Sequence, residues 1–271
     1  MNKSDLKKKF VLGTANFTQK YGVKNTKVNL IEIKKILNLA KKNNLNTLDT
    51  ADSYLNEFIG MTSYGIFALI LIKIGRFVHD RLALNKFDKN EQIKARNISV
   101  GIVDAGAVVA TAIIIRAILL WVEGLDINTF IAITAGFVVS QTMLILITRI
   151  KEREYAKNNQ GSCMQQALVD GQVAIAIRYV GQVISTALAV TAASHFLIYS
   201  PETLLNNLVG WFLFSIVMTL LVSILTAIAK RLVLMGINLV EEVDQQHNIG
   251  VAFVEIVISI SIALILTALM S

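Results

Sequence analysis

The sequence predicts an all-α integral membrane protein, on three observations: its composition, six long apolar runs, and a short segment that recurs three times. With 54% hydrophobic residues and a mean hydropathy of +0.59, a water-facing globule of 271 residues would carry more apolar surface than it could bury. A helix needs about 20 mostly apolar residues to cross ~30 Å of hydrocarbon. Six stretches qualify: 58–79, 98–122, 127–148, 172–199, 203–229 and 248–270.

The first span is interrupted at its inner end by Lys73 and Arg76, both expected to snorkel toward headgroups. The second and third spans are joined by the tight connection 123–126 (EGLD), and the fourth and fifth by 200–202 (SPE). Pro201, the single proline, sits in the latter, where a missing N–H does no harm. Longer polar segments at 80–97, 149–171 and 230–247 separate the spans within each pair.

Each even span opens alike, with an amide, then β-branched and small residues in alternation: Asn97-Ile-Ser-Val-Gly-Ile102, Gln172-Val-Ala-Ile-Ala-Ile177 and Asn248-Ile-Gly-Val-Ala-Phe253. The copies start 75 and then 76 residues apart, which predicts three tandem two-helix repeats at about 58–122, 127–199 and 203–270. Two spans per unit return the chain to the same side, so the repeats are parallel. The long loops carry 11 Lys and Arg and the tight turns none, which assigns the loops to the cytoplasm and both termini to the outside.

Charge divides the chain at residue 57. Residues 1–57 hold 11 Lys against 5 acidic residues, and 58–271 hold 15 basic against 14 acidic, so the net +7 belongs to the leader. Placing the leader outside conflicts with its Lys content, and three resolutions stand: translocation regardless of charge, an incompletely crossing first span, or a natural start near Met61. Lys7, Lys8 and Lys9 lack interleaved aromatics and read as a solvated tail, so no nucleic-acid partner is expected. Cys163 is the single cysteine, in a polar loop without nearby His, which predicts no disulfide, metal or cofactor. FVLGTANF is too short for a cleaved signal.

Within spans, ionisable groups are costly and need a reason. Asp104 and Glu255 each lie seven residues after their repeat's leading amide, Asn97 and Asn248, and Tyr179 holds that place after Gln172. Seven residues is nearly two helical turns, so these groups share a polar face about two turns inside the interface. Arg178 offers a countercharge. If the three faces converge, two carboxylates and a phenol line a shallow pocket able to bind a cation or relay protons; the alternative is interhelical packing and hydrogen bonding. Arg116 reads as snorkelling, His195 as interfacial, and Trp121 and Trp211 as interface and packing aromatics.

On the even-span openings and the loops FDKNEQIKARN and NLVEEVDQQHN before them, residues 58–271 resemble the bacterial membrane family called domain of unknown function 350. That resemblance implies an inner-membrane location, tandem two-span units commonly even in number, and no established activity. Three units leave a side that a fourth would cover, so a homo-oligomer, or another membrane protein as partner beside the lipid bilayer, is expected.

Residues 10–54 resemble the opening of an aldo/keto reductase, through FVLGTANFTQKYGV, VNLIEIKKILNLAKKNN and NTLDTADSY. This implies a short βαβ-like fragment ahead of the spans, with Asp49 and Tyr54 at the family's catalytic positions. The helix has independent support, since Leu30, Ile33, Ile36, Leu37 and Ala40 share a face. The rest of the barrel, with its catalytic Lys and His, has no counterpart, so the fragment is expected to be vestigial and the protein not an enzyme. The leading expectation is a non-catalytic structural or partner-binding membrane protein. An ion or proton pathway using Asp104, Tyr179 and Glu255 is the alternative, and an NADPH-dependent carbonyl reductase remnant a distant third.

Overall fold

The computed structural model describes residues 12–13, 28–43, 48–49, 51–124 and 126–271, with side chains for 28–43, 58–124 and 126–271. Contacts divide the chain into two compact units, Met1–Gly65 and Ile66–Ser271.

In the first unit, β1 (Leu12–Gly13) pairs in parallel with β2 (Leu48–Asp49), with α1 (Leu30–Lys42) between them in sequence. Asn29 caps α1 by accepting the Glu32 N–H at 2.9 Å, and Lys41 and Lys42 lie in its last turn, where they complement the free carbonyls. Of the face expected to pack, Ala40 is buried while Leu30 is 76% exposed. α2 (Ala51–Val78) then runs as one helix into the first span, so Tyr54 lies on the helix that becomes that span. The side chains of Asp49 and Tyr54 lie outside the described residues.

Six helices are long and apolar enough to cross a membrane: Phe58–Ala83, Ile98–Trp121, Ile127–Asn158, Val173–Ser194, Pro201–Val233 and Ile249–Met270. Beyond α2 they are α4 (Ile98–Trp121), α5 (Ile127–Asn158), α7 (Val173–Ser194), α8 (Leu204–Val233) and α9 (Ile249–Met270). The expected long loops are partly helical. α2 ends in a π-helical turn at His79–Ala83, and α3 (Lys89–Lys94) and α6 (Met164–Val169) are short helices preceding α4 and α7. A second π-helical turn, Val240–Gln245, precedes α9. α5 continues to Asn158, past the apolar run, because Arg149–Glu152 (2.7 Å) and Lys151–Glu154 (2.6 Å) pair at i,i+3 along its exit.

The three even spans begin with one local device. The residue before each opening amide has positive φ: Arg96 at 64°, Gly171 at 82° and His247 at 56°. That left-handed residue closes the preceding short helical segment, and the amide starts the span; the Asn97 N–H returns to Gln92 O and the Gln172 N–H to Ala167 O, at 3.0 Å each.

α7 is the centre of the unit. Inside its apolar window 78% of residues are buried, against 17% for the first span, 22% for the fifth and 28% for the sixth. α4 and α9 pack on either side of α7, and α5 and α8 also pack on it. Two glycines set the close approaches: a Cβ at Gly106 would fall 2.5 Å from Val180 Cγ2, and one at Gly181 would fall 2.7 Å from Ile256 Cγ1. At the end with the tight turns, Trp121 meets Trp211 and Tyr199 edge to face at 5.0 and 5.2 Å. Trp211 is fully buried and donates to Val190 O, so it is a packing aromatic, and His195 lies exposed at the end of α7.

Candidate functional site

The three leading amides are N-caps. Asn97 Oδ1 accepts the Val100 N–H and Asn248 Oδ1 the Val251 N–H, each at 3.2 Å, three residues into their helices. The Asn97 amide also donates to Leu168 O and Val169 O, tying α4 to α6, and the Asn248 amide donates to Glu242 at 2.8 Å. Gln172 is one methylene longer and makes no such cap; its buried Oε1 has no partner among the described residues.

The intramembrane carboxylates fall into two separate networks. Asp104 receives a bidentate contact from Arg76, Nε to Oδ1 at 2.9 Å and Nη2 to Oδ2 at 2.8 Å. Lys89, buried on α3, bonds both Asp104 and Asp80 of the π-helical turn. Arg76, its side chain 41% exposed, thus pairs with the carboxylate of a neighbouring helix. Glu255 is held by Arg178 Nε at 2.6 Å and Lys230 Nζ at 2.9 Å. Arg178 also bonds Asp244 of the second π-helical turn and donates to Leu239 O at 2.7 Å. Burial pushes the Asp244 carboxyl above the usual carboxylate range, against the pull of Arg178.

Each network thus holds two cations and two carboxylates: the first comes from α2, α4 and the two short segments between them, the second from α7, α8, α9 and the turn before α9. The carboxylate seven residues past the cap is met by the inner end of its odd span, Arg76 in one case and Lys230 in the other. Tyr179 follows the same rule with neutral groups: its hydroxyl lies 2.9 Å from Thr148 Oγ1 of α5 and 2.8 Å from Nε2 of buried His79. Asp104, Tyr179 and Glu255 share a register without sharing a pocket.

A cavity of about 510 Å³ lies among α5, α7, α8 and α9. Its wall carries Ser185, Thr186, Thr219, Ser223 and Thr226, and one end is lined by Leu234, Gly236, Ile237 and Val240, on the side of the long loops. On α8 the lining runs from Arg231 and Lys230 to Thr219, 11 residues from Lys230, or about 16 Å of helix. That is about half of a ~30 Å hydrocarbon core. Ser185 Oγ, Thr219 Oγ1 and Thr226 Oγ1 are buried without a hydrogen-bond partner among the described residues. Hydroxyls left so in an apolar core would cost about 1–3 kcal/mol each. Four basic side chains line it, Lys151, Arg178, Lys230 and Arg231, against two acidic, Glu154 and Glu255.

Residues 43–119 and 124–270 match the family model described as Domain of Unknown Function (DUF350). The chain belongs to the DUF350 family. No curated protein and no solved structure matches it. The DUF350 match reaches back to residue 43 and takes in Asp49 and Tyr54, the positions on which the reductase resemblance relied. With α2 running unbroken from Ala51, that stretch leads into the apolar helices of a DUF350 protein, and the comparisons lend the reductase resemblance no support.

Sequence reading located Asp104, Arg178, Tyr179 and Glu255 but not His79, Asp80, Lys89, Lys230 or Asp244, which complete their surroundings. The signal available was the basic residue at the inner end of an odd span, Arg76 or Lys230, facing a carboxylate at fixed register in the next span.

Proposed function

We propose that this DUF350 protein is a non-catalytic, multi-pass protein of the bacterial inner membrane, built of three parallel two-span repeats, and that it provides a pathway for small anions. The cavity carries this reading: a wall with Ser and Thr side chains along about 16 Å, half of a bilayer core, and a lining with twice as many basic as acidic side chains. Arg178 and Lys230 balance Asp244 and Glu255, and Lys151 pairs with Glu154, so among the described residues of the lining Arg231 is the charge left over, which sets anions above cations as the species admitted. The excess of Lys and Arg in the long loops supports a cytoplasmic position for the loop end of the cavity. Asp104 lies outside the lining and serves the first network, so the pathway draws on Glu255 and its partners.

Proteoliposome uptake of chloride, nitrate and phosphate tests the proposal. At least one should enter faster than in protein-free vesicles, and Thr219→Trp, which fills the deep end, should cut that rate at least tenfold. Uptake equal to protein-free vesicles for all three anions, or a rate indifferent to Thr219→Trp, would overturn it.

A further inference from the structure

The even spans pack by one interface used twice. Counting from each opening amide, the ninth residue of α4, Gly106, receives the eighth of α7, Val180; the ninth of α7, Gly181, receives the eighth of α9, Ile256. The same pairing of stripes continues along the helices. Positions 2, 6, 9, 13 and 20 make one stripe, of which Ser99, Val103, Gly106, Ala110 and Ala117 are buried on α4. The equivalent stripe on α9, Gly250, Val254, Val257, Ser261 and Ala268, is exposed throughout. Positions 8, 12, 15 and 19 make the opposing stripe. On α9 they are Ile256, Ile260, Ala263 and Thr267, all covered to some degree, with Thr267 donating to Leu188 O of α7 at 3.1 Å. On α4 they are Ala105, Val109, Ala112 and Arg116, all exposed.

The row α4–α7–α9 therefore ends in two unlike faces that are the two halves of the interface holding the row together. Sizes at the key pair are exchanged: glycine at position nine meets valine or isoleucine at position eight within the chain, whereas the open ends offer Val257 at position nine and Ala105 at position eight. A large residue against a small one is kept, with the roles reversed. We propose that copies of this chain associate head to tail, the exposed stripe of α9 in one copy packing on the exposed stripe of α4 in the next, so that the row of even spans continues between molecules. The contact is heterologous, since the two surfaces differ, and it extends beyond a dimer.

Cysteine pairs in native membranes test this, in a Cys163→Ser background with copper-phenanthroline oxidation. Ala105→Cys with Val257→Cys in one chain should give a ladder of dimer and higher species, and the two single variants co-expressed should give dimer alone. Each single variant by itself, and Ala105→Cys paired with Val217→Cys on the exposed face of α8, should stay monomeric. Cross-linking in a single variant by itself would show a two-fold contact, equal cross-linking through Val217→Cys would show random collision, and monomer throughout would show no contact. Any of these would overturn the proposal.

Discussion

Replacing Arg178 with methionine should lower the stability of the detergent-solubilised protein by about 3–5 kcal/mol, the usual cost of removing one partner from a buried ion pair. Asp244 and Glu255 have side chains only 3% and 4% exposed, and Arg178 bonds both while holding Leu239 O. Without it, among the described residues, Asp244 keeps only the 3.3 Å contact from Asn159, and Glu255 keeps only Lys230. The loss should appear as a fall in thermal unfolding midpoint and as detachment of the Val240–Gln245 turn, read by faster hydrogen exchange there. Adding Asp244→Asn and Glu255→Gln to Arg178→Met should recover most of the midpoint, because no uncompensated charge then remains. A single variant as stable as the parent would show that the network is not what joins α7 to α9 and its preceding turn.

Gly181→Val should be the most damaging substitution of a small residue. Its Cβ would lie 3.1 Å from the Ile256 backbone Cα as well as 2.7 Å from the side chain, so rotamer change alone cannot make room and α7 must separate from α9. Overpacking of this kind costs about 1–3 kcal/mol, occasionally more. At Gly106 the three atoms nearest an added Cβ all belong to the Val180 side chain, and Gly106→Ala adds one carbon where Gly181→Val adds three, so it should be milder. The measure is the fraction recovered as a monodisperse species in mild detergent: most of the protein for Gly106→Ala, little for Gly181→Val. Equal recovery would contradict the close α7–α9 approach.

The six spans were legible because the choice of solvent is a property of whole segments: 20 apolar residues in succession admit few other readings. Their ends were less so. α5 outruns its apolar stretch by charged pairs, and the segment after α2 winds into a π-helical turn, neither of which hydropathy reports. The register linking Asp104, Tyr179 and Glu255 was legible from the spacing of the amides, but the amides' own role was not, since a capping Asn and a pocket Asn look alike until the left-handed residue before it is seen. Lys89 and Asp244 escaped notice because they lie between the spans in sequence, and only tertiary folding turns those short helical segments back onto the spans. The cavity was hidden for a related reason. Serine and threonine in a span can bond their own helix, as Thr186 does to Gln182 O at 2.8 Å, and sequence does not distinguish these from Ser185 and Thr226, which lie in the cavity wall without such a bond.

The central claim is a polar cavity that opens on the loop face and reaches the middle of the bilayer. Thiol accessibility tests it most directly, using a membrane-impermeant maleimide on sealed vesicles of known orientation. Cys163 in the parent chain marks the loop face; Thr226→Cys, in a Cys163→Ser background, should react from that same face, while Ser215→Cys, buried on α8 outside the lining, should stay unreactive. Labelling of Thr226→Cys from the opposite face, or its silence where Cys163 reacts, would contradict the account.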